Sequence, residues 1–446
     1  MKSVLLWAFV LLGCSTFAQQ KNDFHSWAPT PPMGWNSWDC YGPTVTEAEV
    51  KANADYMASH LKSSGWQYII VDIRWYVAND KSHGYNETDP DYNIDAYGRF
   101  QPAVNRFPSA ANGQGFKPLA DYIHNKGLKF GIHIMRGVPV VAVNKKLPVK
   151  GTNVTAADIY SKQDQCKWLH DMYTIVPDKT GAQEYYNSLF DMYASWGLDF
   201  VKVDDLSAPI YFAEEIEMIR KAITRTGRKI LLSTSPGETP IAQGAHVQQH
   251  ANMWRTVDDF WDNWPHLKDH FEVFERWNKW RTTGAWPDGD MLPLGHIGIR
   301  AERGQPRMTS FTKDEQYTLM TLWTIFRSPL MFGGNLPDND PFTLSLLTNR
   351  QVLQVLNNSS NNRPVFNDKD KAAWTADVPG KAAKYLAVFN KADKDAAAVN
   401  VDLSAIGITG RCTITDLWTG KVVGKFTGSF APQINPHGAG LYKVTP

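Results

Sequence analysis

Between about residues 28 and 356, short apolar runs alternate with longer amphipathic stretches. The runs are "MGWNSW" (33–38), "QYIIVDI" (67–73), "LKFGIHI" (128–134), "LDFVKV" (198–203), "KILLST" (229–234), "ANMWRT" (251–256), "DMLPLG" (290–295) and "SPLMFGG" (328–334). Their length and flanking Gly, Asp and Ser predict strands, the first, sixth and seventh being weak by propensity alone. "TEAEVKANADYMASHLKSSG" (46–65) and "YYNSLFDMYASWG" (185–197) predict helices, the second stopped by Gly197. Strand–helix alternation of this kind predicts a parallel α/β architecture. Eight strands over about 320 residues fit a (β/α)8 TIM barrel with insertions. A doubly wound sheet would need a Gly-rich turn after its first strand, which is absent.

Past "NNSSNNRP" (357–364), which reads as a polar linker, the pattern changes. "KYLAVFNK", "AAVNVDL", "RCTITDLW", "KVVGKF" and "AGLYKV" alternate with a period of two and are separated by Gly, Asp and Asn. They predict a C-terminal antiparallel β-sandwich domain over 364–446, behind a catalytic barrel over 28–356.

The first 18 residues carry Lys2, an apolar run from Val4 to Leu12, and small residues after it. The run is too short to span a bilayer and predicts a signal peptide cut after Ala18, hence a periplasmic or secreted protein. Lipidation of Cys14 in "LLGC" is the alternative. After cleavage Cys40, Cys166 and Cys412 remain, an odd number that argues against a disulfide framework.

A formal charge of +1 gives no basis for a nucleic-acid partner. Seventeen Trp and seventeen Tyr suit stacking on sugar faces as well as a large core. Polar residues gather at the predicted strand ends, where barrel enzymes place their chemistry. Asp72 ends the second strand, His133 the third, and Lys202 and Asp204 the fourth. Arg255, Asp258 and Asp259 follow the sixth, with Asp288 and Asp290 near the seventh. Strand alternation puts Lys202 and Asp204 on one face and turns Asp205 elsewhere. Neither "HExxH", Cys pairs, an EF-hand loop nor "GxSxG" occurs, so no metal or cofactor is expected. Carboxylates flanked by Lys and Arg beside many aromatics are the inventory for glycosidic hydrolysis.

"TPPMGWNSW", "WGLDFVKVDD", "MWRTVDDFWDNW", "GAWPDGDMLPLG" and "DEQYTLMTLWTIFRSPLMFGGNL" together resemble glycoside hydrolase family 27, the α-galactosidases and α-N-acetylgalactosaminidases. The resemblance runs from about residue 30 to the C-terminus. It implies a retaining exo-glycosidase with Asp204 as nucleophile and Asp259 as acid/base, Asp258 being out of register. It implies Lys202, Arg255, Asp72 and Asp290 as sugar ligands and Trp35 as the aromatic beside the ring. The chain departs from the family where a second aspartate would follow Asp72, since it has Ile73. It has His133 in place of a tyrosine, "STSPGE" (233–238) in place of Cys-Glu-Trp, and a long inserted segment over 136–183. These departures face the far end of the sugar or the leaving group. The default substrate is a terminal α-D-galactoside, and a β-L-arabinopyranoside, the same ring without its exocyclic CH2OH, is the competitor. From another class, a non-catalytic sugar-binding protein is the alternative. A homo-oligomer is left open.

Overall fold

The computed structural model describes residues 24–446; the leader, its cleavage site and Cys14 lie outside them. Eight parallel strands form one sheet: β1 Met33–Asn36, β2 Tyr68–Val71, β3 Lys129–Met135, β4 Phe200–Asp204, β5 Leu231–Thr234, β6 Met253–Arg255, β7 Trp286–Asp288 and β8 Leu330–Phe332. Their order is β7-β6-β5-β4-β3-β2-β1-β8. A parallel bridge from Leu292 to Phe332 ties the segment after β7 back to β8 and closes the ring. The expected TIM barrel is therefore present.

One element is displaced. The seventh strand is 286–288, not 290–295. "DMLPLG" is the more apolar run, but it forms the loop that bridges to β8, while "WPD" takes the strand position beside β6. Pro287 is not barred there, because in so short a strand one missing donor disturbs little of the ladder.

Alternation sorts the strand residues into two shells. Tyr68, Ile70, Phe200, Leu231, Met253, Trp286 and Met331 form a buried cluster that fills the barrel. The residues between them, such as Ile69, Val71, Val201, Val203, Leu232 and Trp254, belong to the larger cluster under the helices. Continuing the inner rows toward the C-terminal ends gives Asp72, His133, Lys202, Asp204, Arg255 and Asp288. The sequence thus places an apolar plug below a polar layer.

Among the surrounding helices, α1 (Glu47–Tyr56) begins with a Thr46/Glu49 capping box and continues through a π turn and a 3-10 turn to Ser64. The expected helix over 46–65 is thus present in three geometries. Helix α2 (Ala182–Trp196) ends where Gly197 adopts φ 86°, a left-handed stop that needs no Cβ. Helices α3 (Ala213–Arg225) and α4 (Gly244–His250) flank β5. The 136–183 segment carries a small antiparallel sheet of Val138–Pro139, Met172–Ile175 and Tyr160–Ser161.

The C-terminal unit is a six-stranded antiparallel sheet that starts with Ser360–Asn367. Two short strand pairs and a second apolar cluster around Leu386, Val399 and Ile414 give it a sandwich core. The stretch 357–364 is not a linker: it ends a helix (Arg350–Asn358) and opens that first strand. Polar composition misled here because the strand has one exposed face. The sandwich docks on the barrel through Trp374 against Phe326 and Trp418 Nε1 donating to Thr321 Oγ1 at 3.0 Å. Cys40, Cys166 and Cys412 are buried free thiols. Among the described residues no helix is long and apolar enough to cross a membrane.

Candidate active site

The polar layer opens into a cavity of about 410 Å3 at the C-terminal ends of the strands. Asp72, His133, Lys202, Asp204, Arg255, Asp259 and Asp290 all line it, together with Ile73 and Asp258. Seven of the eight expected site residues therefore meet in one place.

Trp35 does not. It is fully buried, and its indole N–H donates to the Gly334 carbonyl at 2.8 Å. The reason is parity: Gly34 and Asn36 take the inner face of β1, so Trp35 faces the helices with its register partners Ile69 and Phe332. The aromatic that this stretch brings to the cavity is Trp38, three residues on, in a short helical turn. Trp38 stacks on Tyr85 with ring centroids 6.0 Å apart, and Tyr85 lies 6.4 Å from Trp168. Tyr85 and Trp168 come from loops, where no periodicity marks them. Trp168 gives the inserted 136–183 segment a place in the site.

His133 sits between two carboxylates, Nδ1 at 2.7 Å from Asp72 Oδ1 and Nε2 at 3.2 Å from Asp204 Oδ2. These are close charge pairs rather than well-directed hydrogen bonds, and all three groups are buried. Burial alone would raise the Asp204 carboxyl, but His133 and the Lys202 charge outweigh it and hold it below its usual range. Asp72 is likewise opposed by burial, yet His133, Lys202 and the Ile73 N–H bring it down to about 2. Burial works against the His133 charge, and Asp72 and Asp204 overcome it, so the imidazole is pushed above its ordinary value. Below that raised value the trio is carboxylate, imidazolium, carboxylate. Lys202 is not in a short ion pair with Asp204; among the described residues no carboxylate comes within 4.0 Å of its ammonium group, which acts at longer range. Its charge survives burial because Asp72, Asp204 and Asp290 surround it.

Asp205, on the other parity, leaves the site and pairs with Arg136 at 2.9 Å. Arg136 also pairs with Glu215 at 2.9 Å, anchoring the inserted segment to α3. Burial first, then the charge of Asp204, pushes Asp205 up to about 7 against Arg136.

On the opposite wall, Arg255 reaches Asp290 Oδ2 at 2.8 Å and Asp259 Oδ1 at 3.2 Å. The Phe260 N–H donates to Asp290 Oδ2 at 2.8 Å, which fixes this carboxylate. Asp290 sits at φ 82°, a strained position for a residue with a side chain, held by its own N–H on Asp288 Oδ1 at 3.0 Å. Asp204 has a side-chain exposure of 10% and Asp259 one of 42%. The first is thus a desolvated, ionised carboxylate. The second is open to solvent, and Arg303 stands 3.8 Å from it. Asp39, overlooked in the "GWNSWD" run, also lines the cavity. Burial, then Asp290, raises its carboxyl well above the usual range, and its Oδ2 has no partner.

A pocket that pairs the buried ionised Asp204 with the accessible Asp259 has the carboxylate inventory of a glycoside hydrolase. Residues 30–144 and 142–358 match the alpha galactosidase A family, and 368–444 the alpha galactosidase C-terminal beta sandwich domain. The chain belongs to glycoside hydrolase family 27, the α-galactosidase-like family, and is an O-glycosyl hydrolase. It is similar to a family 27 β-L-arabinopyranosidase from Geobacillus stearothermophilus, with 52% identity, 95% and 98% of the two chains covered, and a TM-score of 0.93. It is 28% identical to the alpha-galactosidase of Cyamopsis tetragonoloba over 94% of this chain and 86% of that one. It is 25% identical to the alpha-N-acetylgalactosaminidase of Gallus gallus, over 94% of each.

Proposed function

We propose that the protein is a retaining exo-glycosidase that prefers terminal β-L-arabinopyranosides and accepts α-D-galactosides second. The observation that carries the preference is Ile73. It lines the cavity, is 2% exposed, and adjoins Asp72, where a second aspartate would accept hydrogen bonds from outer hydroxyls. An apolar wall leaves a hydroxyl facing it desolvated at a cost of about 1–3 kcal/mol, and a ring without the CH2OH avoids that cost. Arg74 supplies no substitute contact, since its guanidinium pairs with Asp80 at 2.8 Å. The 52% identity to a β-L-arabinopyranosidase supports the same reading. Galactose, the sequence-based default, keeps its support from the alpha-galactosidases at 25–28% identity.

In this reading the Asp204 carboxylate attacks the anomeric carbon while the glycosidic C–O bond breaks. Asp259 delivers its proton to the departing oxygen. Asp259 then takes a proton from water, whose oxygen displaces Asp204; the Asp204 carboxylate and the protonated Asp259 are restored, with net retention. Lys202, Asp72, Arg255 and Asp290 hold ring hydroxyls, and Trp38 is the flat apolar surface for the ring. An N-terminal leader over residues 1–18 carries the enzyme out of the cytoplasm. The test is kcat/KM on matched aryl β-L-arabinopyranoside and α-D-galactoside, with the first anomer followed by proton NMR. The arabinopyranoside should be favoured about tenfold or more, with retention. A higher value for the galactoside reverses the preference, and an inverted first product ends the covalent mechanism.

A further inference from the structure

Away from the cavity, two helices on the outside of the barrel bring together Glu217 of α3 with His246 and His250 of α4. One ligand atom from each lies within 4.8 Å of the others, and none of the three lines the catalytic cavity. His246 and His250 are four residues apart, so their side chains leave the same face of α4. Their rings stack with centroids 4.3 Å apart, and His246 Nε2 stands 3.2 Å from Glu217 Oε1.

The hydrogen bonds behind these rings set their tautomers. His250 Nδ1 donates to the His246 carbonyl at 2.8 Å, which leaves the lone pair on Nε2. His246 Nδ1 is 2.7 Å from the Tyr211 hydroxyl. The Glu217 carboxylate can only accept, so without an ion His246 Nε2–H donates to it and Nδ1 accepts from Tyr211; with an ion bound the ring proton moves to Nδ1, which donates to the Tyr211 oxygen and leaves Nε2 to ligate. Metal-bound histidines need such a partner on the second ring nitrogen, and removing one costs about 10–100-fold in affinity. Arg220 donates to the His250 carbonyl at 2.7 Å, so its cation faces the backbone.

From this arrangement we infer that Glu217, His246 and His250 form a binding site for a divalent first-row transition ion, zinc in first place. The donor set is two imidazoles and one carboxylate, which suits zinc with a water in the fourth position. Zinc bonds of about 2.0–2.2 Å put tetrahedral ligand atoms roughly 3.3 Å apart. The His246–Glu217 edge already has that length, and the ion takes the place of the proton now shared between them. Glu217 has a side-chain exposure of 55%, so it can swing to close the remaining edges and the ion has an entry path. The bound ion ties α3 to α4. Through Tyr211 it also braces the loop after β4, whose Ala208 and Pro209 form cavity wall. A search for contiguous motifs passes over the site because Glu217 comes from a different helix.

The test uses tag-free, chelator-treated full-length protein, titrated with zinc in a calorimeter and with cobalt in an absorption cell. The expected result is one tight equivalent of zinc, cobalt ligand-field bands of low coordination number, and an upward shift in melting temperature with zinc. Glu217→Gln, at an exposed position, should weaken zinc about tenfold or more with unchanged circular dichroism. His246→Gln together with His250→Gln should abolish binding, and Tyr211→Phe should weaken it about tenfold. Absence of zinc binding to the parent protein overturns the inference, as does parent-like affinity in both Glu217→Gln and the double variant.

Discussion

The His133 imidazole stands 3.2 Å from the Asp204 carboxylate, with its other nitrogen on Asp72 at 2.7 Å. While His133 is protonated, a positive charge thus lies against the group proposed to attack the anomeric carbon. Neutral hydrogen-bond donors could orient Asp204 equally well, but a positive charge beside it adds a further bias toward its ionised form. The Asp205 N–H on Asp204 Oδ1 at 3.0 Å occupies the other oxygen. Orientation and ionisation of Asp204 are therefore both set from behind, by β3 and by the chain's own turn.

Replacing His133 separates these two effects. His133→Gln keeps a donor and removes the charge, so the Asp204 carboxyl should rise. The acid limb of the kcat/KM profile should move up by about one pH unit, with the plateau lowered by roughly tenfold or more. His133→Ala should do both and also destabilise the fold, leaving buried Asp72 without its partner. A glutamine variant with an unmoved acid limb would show that Lys202 alone holds Asp204 ionised.

The same trio predicts stability against pH. Asp72 is depressed to about 2, so its contribution is complete above the unfolded carboxyl value and fades as pH falls through the folded one. With an unfolded value near 3.9, that is on the order of 2 kcal/mol lost between roughly pH 4 and 2. His133 is raised, so its part is complete below about pH 6.5 and is lost as pH rises through its folded value. These are two views of one interaction, not two sums. Urea midpoints from pH 2 to 9 should show a plateau falling on both sides, and His133→Gln should flatten the alkaline fall. An unchanged alkaline slope in that variant would assign the loss to another group.

Much of this was legible, and the failures share a cause. The alternation in "LDFVKV" placed Lys202 and Asp204 inward and Asp205 outward, because parity in a strand is fixed by pleat geometry. The same rule, applied to "MGWNSW", turns Trp35 to the face opposite Gly34 and Asn36, away from the cavity. His133 could be found as a strand-end residue, but its bridging of two carboxylates depends on β3 lying beside both β2 and β4. Tyr85, Trp168 and Glu302 reach the cavity from irregular segments, where sequence spacing carries no direction. The seventh strand was misplaced because three residues in a barrel are held by their neighbours, not by their own propensity.

The register across "RTVDD" is open to a kinetic test. Arg255 pairs with Asp259, and Asp258 Oδ1 instead accepts the Asp259 N–H at 2.8 Å. Asp258 also lines the cavity. Asp259→Ala should lose far more activity on an alkyl glycoside than on an aryl glycoside whose leaving group needs no proton. Added azide should accelerate the aryl reaction of that variant. Asp258→Ala should change both substrates alike and ignore azide. The reverse pattern would move the acid/base role to Asp258.

The proposed preference for the smaller sugar rests on Ile73, and its two physical components can be resolved. Ile73 can disfavour galactose by filling the space of the CH2OH, or by offering no acceptor to its hydroxyl. Ile73→Ala removes volume and adds no polarity, so a steric origin predicts a gain on the galactoside relative to the arabinopyranoside. Ile73→Asp restores an acceptor, so a hydrogen-bond origin predicts the larger gain there. A recovered contact of about 1–2 kcal/mol changes the ratio of kcat/KM by roughly 5- to 30-fold. The aspartate stands beside Asp72 and near Asp39, two buried acids, so a lower melting temperature accompanies it. For that reason the readout is the ratio between substrates, which a uniform loss of folded enzyme leaves unchanged. A ratio unmoved in both variants means that Ile73 does not meet the outer end of the sugar, and the discrimination must then lie with Trp38, Tyr85 and Trp168.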